Sequence, residues 1–147
     1  MTTPQAVSTS GGKGWRALAG APALRWLCML LLCSAYLQGG INKLTDFAAA
    51  VGEMQHFHLS PPAPMAVLVI AGELGSSVLI LLGFYRWLGA LYLGLFTLMA
   101  TFVANRFWEM AGMERFMAAN SFFEHLGLVG AFLMVAWYDF KEGQDGR

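Results

Sequence analysis

Four long apolar runs, bounded by charges, prolines or glycines, restrict this chain more than any other feature. They cover about residues 23–41, 64–84, 87–105 and 122–138. A helix rises about 1.5 Å per residue, so the first three runs span about 28–32 Å. The hydrocarbon core of a bilayer is about 30 Å thick. A segment crossing it must satisfy its own backbone hydrogen bonds, which makes single spans of this kind helical. Composition agrees, with 57% of residues apolar and 12% charged, against roughly 45–50% and about 25% in soluble domains. The expected fold is all-α, a four-transmembrane-helix bundle with up-down topology in the lipid bilayer. The fourth run is short and carries Glu124 and His125 near its start, so that end needs shelter from protein or a place at the interface.

Residues 1–21 are rich in Thr, Ser, Gly, Pro and Gln and read as a disordered cytoplasmic tail. Residues 22–140 read as the membrane domain and 141–147 as a second cytoplasmic tail. Leu32 before Cys33 is too large for a lipoprotein cleavage pocket, so the first run reads as a retained anchor. Cys28 and Cys33 lie about 140° apart on a helix, in neither a redox nor a zinc spacing, and read as buried apolar fillers.

With the amino terminus inside, Lys13, Arg16, Arg25, Arg86, Lys141 and Arg147 lie on the inner side, and Lys43, Arg106 and Arg115 on the outer. This bias places both termini in the cytoplasm. Trp15, Trp26, Trp87, Trp137, Tyr85 and Tyr138 fall near the inner boundary, as in an aromatic belt. The turn Phe84-Tyr85-Arg86 is so short that spans two and three form an antiparallel hairpin. Between spans one and two, Leu44, Phe47, Ala48, Val51 and Met54 or Gln55 have helical spacing, consistent with a short interfacial helix capped by Thr45. Residues 106–121 read as a second outer loop.

Polar residues inside lipid carry the functional information. Ser34, Gln38 and Asn42 fall at i, i+4 and i+8 on one helical face, followed by Lys43. Thr97, Thr101 and Asn105 repeat that spacing, followed by Arg106. Glu73 is followed one turn on by Ser76 and Ser77, and Asn120, Glu124 and His125 open the fourth span. Glu73 lies about 14 Å below Pro64, and the other strips lie at similar or shallower depth. The pattern predicts a polar cavity opening outward around Glu73.

An acidic group at a span centre costs about 2.5–3.5 kcal/mol on insertion scales. Glu73 is therefore read as a proton-active or ligand-orienting carboxylate with Lys43 or Arg106 nearby, against a carboxylate that only locks the bundle. Taken singly, the Gln, Asn and Thr residues often just bond helix to helix. Glu124 and His125 read equally as an acid–base pair or as solvation of the outer end of span four. His56 and His58 point about 200° apart on a helix and chelate a metal only in an extended segment, so no metal site is expected. Small-residue pairs at Ala71/Gly75, Gly72/Ser76 and Gly127/Ala131 read as helix contacts. With zero formal charge and no basic run, nothing points to nucleic acid. Phosphate-loop, nucleophile-elbow and haem-attachment motifs are not found.

Three stretches resemble the DoxX family of small four-helix membrane proteins: Tyr36-Leu37-Gln38-Gly39-Gly40-Ile41-Asn42-Lys43-Leu44; Ala71-Gly72-Glu73-Leu74 with Leu81 through Ala90; and Asn120 through Ala131. Many members have histidine where Tyr36 or a neighbour stands. The resemblance implies a bacterial inner-membrane protein, a redox-linked oxidoreductase component tied to quinone or thiol stress chemistry, with Gln38, Asn42, Lys43 and Glu73 as the positions to watch. The ligand expected on this reading is a quinone or another apolar small molecule. No cofactor motif is evident, so electrons come from a partner or from the ligand. Two alternatives stand beside it. One is a non-enzymatic membrane subunit that positions a partner protein or forms a homo-oligomer, and the other is a small transporter.

Overall fold

The structure is a computed structural model that describes residues 21–145. The expected tail over residues 1–21 lies outside the described residues except for Ala21. The described residues form five α-helices and one 3-10 turn: α1 (Pro22–Thr45), α2 (Phe47–His56), α3 (Pro62–Leu82), α4 (Arg86–Ala104), the turn Phe107–Glu109, and α5 (Gly112–Asp145). The described residues contain no strand. Four of the helices are long and apolar enough to cross a membrane.

Local chemistry sets the boundaries. Pro22 and Pro62 open α1 and α3 at positions whose N–H groups have no helical acceptor anyway. Gly83 ends α3 in the left-handed region (φ 77°), where a residue without Cβ carries no steric cost. The cap of α2 is Asp46, not Thr45. Its Oδ1 accepts from the Ala49 N–H at 3.0 Å, while the Thr45 hydroxyl turns back to the Ile41 and Asn42 carbonyls. The buried face of α2 is Ala50 and Met54, packed on Ala66 of α3, and Phe47 is exposed.

The last helix starts at Gly112, well before the expected residue 122, and runs for 34 residues. Between Gly112 and Gly127 no glycine or proline interrupts the sequence, and Met, Glu, Arg and Ala are good helix formers. What reads as a charged loop is therefore the first part of α5. Phe107 and Trp108 pack edge-on against Phe122 at centroid distances of 5.4 and 6.0 Å, which holds the preceding turn on the helix.

α1 packs on α3, α3 on α4 and α4 on α5, with α2 lying on α3. Gly89 makes the α3–α4 hairpin close. A Cβ there would stand 2.7 Å from the Ser76 carbonyl oxygen. The core joins all four long helices through Cys33, Tyr36, Ile80, Leu93, Phe132 and Ala136. At the end of the bundle holding the α3–α4 turn, α5 reaches back. Asp139 accepts from the Trp87 N–H at 3.0 Å and pairs with Arg86 at 3.5 Å. One turn on, Glu142 pairs with Arg25 of α1 at 2.8 Å. The start of α1 and the end of α5 thus share one end of the bundle, as up-down connectivity requires. Large apolar side chains cover the outside, among them Leu31, Leu82, Leu95 and Leu133. Lipid solvates such a surface without cost, whereas water does not. Cys33 is buried as expected of an apolar filler, but Cys28 is on this outer surface.

Candidate functional site

Glu73 sits halfway along α3 and is 5% exposed. Its partner is Lys43, two residues before the end of α1. The Nζ lies 3.4 Å from both Oε1 and Oε2 of Glu73, and 3.9 Å from Oε2 of Glu53 on α2. One ammonium thus faces two carboxylates. Charge-assisted N–H···O contacts usually close to about 2.7–2.9 Å, so the buried pair is loosely closed. Gly39 lies against it. A Cβ at that position would stand 3.5 Å from Nζ and 3.7 Å from Oε2, so the missing side chain leaves one face of the pair uncovered.

That face borders a half-open cavity of about 580 Å³ lined by α1, α2, α3, α4 and α5. Most of its wall is apolar, including Met54, Leu68, Val69, Phe96 and Met99. The polar groups on it are Lys43, Glu53, Glu73, Tyr36, Thr97, Tyr92 and His125. The cavity around Glu73 is therefore an apolar chamber with a few polar points, in place of the polar cavity expected from aligned strips. Tyr92 reaches it across Gly72, where an added Cβ would overlap the phenol.

On the α4–α5 side the hydrogen bonds have a fixed direction. Thr97 donates to the Leu93 carbonyl and Thr101 to the Thr97 carbonyl, each at 2.6 Å. Each hydroxyl has one proton, so both oxygens are acceptors toward every other partner. Tyr36 consequently donates to Thr97, and Nδ1 of His125 lies 2.9 Å from the Thr101 hydroxyl. The Asn105 amide nitrogen stands 3.2 Å from the same Nδ1. His125 is half-buried and lines the cavity.

Of the residues read from sequence, the fold gathers Glu73, Lys43, Thr97, Thr101, Asn105 and His125. It does not gather Ser34, Gln38 and Asn42, which are exposed. The buried face of α1 is Cys33, Tyr36 and Gly40, and at about 100° per residue the expected strip points nearly the opposite way. Close packing fixes that rotation. A Cβ at Gly40 would come within 2.8 Å of Leu74, so only this glycine face lets α1 approach α3. Arg106 pairs with Glu109 at 3.2 Å instead of approaching Glu73. Asn120 and Glu124 are exposed, and Glu124 forms no pair with His125, whose partners are on α4. Ser77 bonds back to the Glu73 carbonyl at 2.7 Å and closes the helix backbone.

Four contributors have weaker signals. Tyr36 and Gly39 lie seven and four residues before Lys43 on one helical face, a spacing that marks them once Lys43 is chosen. Glu53 is identified only by the fold of α2 onto Lys43. Tyr92 stands in an otherwise apolar run with no pattern to distinguish it.

Comparison with known proteins agrees with this architecture. Residues 25–106 match the DoxX family. The chain is also similar to inner membrane protein YphA of Escherichia coli (strain K12), with 25% identity over 119 residues, covering 80% of this chain and 84% of that protein. No solved structure matches the chain. The match spans α1 through α4, including Lys43 and Glu73, and the chain belongs to the DoxX family.

Proposed function

We propose that this chain is a redox-linked component of the bacterial inner membrane that binds a quinone or a closely related apolar ligand beside Glu73. The observation that carries the reading is the apolar chamber of about 580 Å³ with an uncovered Lys43–Glu73 pair on one wall and His125 on another. Ligand sites of this kind are mostly apolar with a few placed polar groups, in volumes of about 300–1,000 Å³. The Lys43 ammonium is a donor suited to a ring carbonyl. His125 lines the same cavity and offers a ring nitrogen to a ring oxygen of the ligand. Glu73 is the carboxyl able to give or take a proton at that carbonyl oxygen, and the apolar wall excludes water from the exchange. On this reading electrons come from a partner protein or from the ligand itself. The relative's name places it in an inner membrane, and the Lys/Arg bias puts both termini of this chain on the cytoplasmic side.

Titration of the purified protein in detergent with a short-chain quinone, followed by tryptophan quenching, tests this reading. Saturable binding is expected, weakened about tenfold or more by His125→Leu and by Glu73→Gln. Absence of saturable binding refutes it. Binding untouched by Glu73→Gln removes Glu73 from the mechanism.

A further inference from the structure

The polar strip that faces away from the bundle belongs to a longer pattern. On α1, Leu24, Leu31, Gln38 and Thr45 recur every seven residues, and Leu27, Ser34 and Ile41 fall between them, in alternating steps of three and four. Every one of these residues is exposed. Alternating steps give a mean period of 3.5, the spacing that lets two helices cross with a left-handed twist. The charged residues of α1 lie on the other side and are engaged within the chain, Arg25 by Glu142 and Lys43 by Glu73.

Gln38 is the residue on this seam that needs a partner. It lies three residues inside the end of the first apolar run, about 5 Å into the span. Ser34 returns its hydroxyl to the Leu31 carbonyl, but the exposed Gln38 amide makes no side-chain hydrogen bond to the described residues. Lipid tails offer it no donor or acceptor.

We infer that this face of α1 docks against the same face of a second copy of the chain. Two copies in one bilayer share an orientation, so a two-fold axis along the membrane normal sets their α1 helices parallel. In a parallel pair each seam position meets its own counterpart. Gln38 then meets the partner's Gln38, and a primary amide, with both donors and an acceptor, complements itself. A carboxylate or ammonium at that position would repel its counterpart instead. Ser34, small and one turn away, lets the backbones approach. This self-complementarity is what selects a second copy over lipid or an unrelated helix.

Cysteine cross-linking in native membranes tests the inference. The full chain carries Cys28→Ser, and the buried Cys33 is retained. Single cysteines are introduced at Ser34, Gln38 and Ile41, with the exposed positions Val78 and Leu95 as controls. Seam positions are expected to give homodimer several-fold more efficiently than the controls. By native mass spectrometry, Gln38→Leu is expected to raise the dimer dissociation constant about three- to thirty-fold, and Gln38→Asn to preserve the dimer. Cross-linking at the seam no higher than at Val78 and Leu95 overturns the inference. So does a monomer in native spectra, a retained lipid or a different protein in place of the second copy, or a dimer indifferent to Gln38→Leu.

Discussion

Replacing Lys43 by methionine isolates the electrostatic centre of the site. Lys43 and Glu73 have side-chain exposures of 16% and 7%. At 3.4 Å and an effective dielectric constant near 20, two unit charges attract by about 5 kcal/mol, most of it offset by their desolvation. Removing one partner leaves that desolvation uncompensated, a loss of about 3–5 kcal/mol for a buried pair. The two single variants are not equivalent. In Lys43→Met, Glu73 has no other cation. In Glu73→Gln, the ammonium keeps Glu53 at 3.9 Å and some solvent, so the loss falls to about 1–2 kcal/mol, the cost of one unsatisfied polar group. The double variant should cost less than the sum of the singles, with a coupling of at least about 1.5 kcal/mol. The assay is unfolding of wild type, both singles and the double in mixed detergent micelles, with free energies from linear extrapolation. Additivity to within about 0.5 kcal/mol, or a larger loss from Glu73→Gln than from Lys43→Met, refutes the account of the pair.

Two further outcomes follow from the geometry. Gly39→Val places methyl groups over the uncovered face of the Lys43–Glu73 pair, and should abolish quinone quenching while leaving thermal unfolding within a few degrees of wild type; unimpaired binding shows that ligand does not reach the pair from this side. Asp139→Ala removes both the acceptor for the Trp87 N–H and the partner of Arg86, and should cost about 1–2 kcal/mol as a lost helix cap, read by the same micelle unfolding, whereas Asp139→Asn should recover part of it.

The number of spans, the α3–α4 hairpin and the short helix between α1 and α3 are legible in the sequence because transfer of a segment into lipid depends on its own composition, summed residue by residue. Glu73 is legible for the same reason, since an ionisable group at depth in an apolar run stands out wherever the helix faces, and Lys43 is legible as the charge that bounds the first run. The start of α5 is less so, because residues 112–121 mix charges and apolar side chains in a way that suits a loop or a helix equally, and packing of Phe107 and Trp108 on Phe122 decides between them.

Rotation of each helix about its axis is a different kind of quantity. Ser34, Gln38 and Asn42 form as regular a strip as Thr97, Thr101 and Asn105, yet the first faces outward and the second faces His125. Sequence periodicity shows which residues share a face. Which face turns inward depends on where two backbones approach most closely, and that is set by steric fit between helices far apart in sequence: Gly40 against Leu74, and Gly89 against the Ser76 carbonyl. By itself the sequence determined that four helices cross the membrane, that a carboxylate lies within it and that an ammonium stands at its outer boundary. Only the tertiary structure decided that those two meet over Gly39 beside an apolar chamber, with the amides of α1 left outside, because interhelical packing is a property of pairs of surfaces that no single run of residues contains.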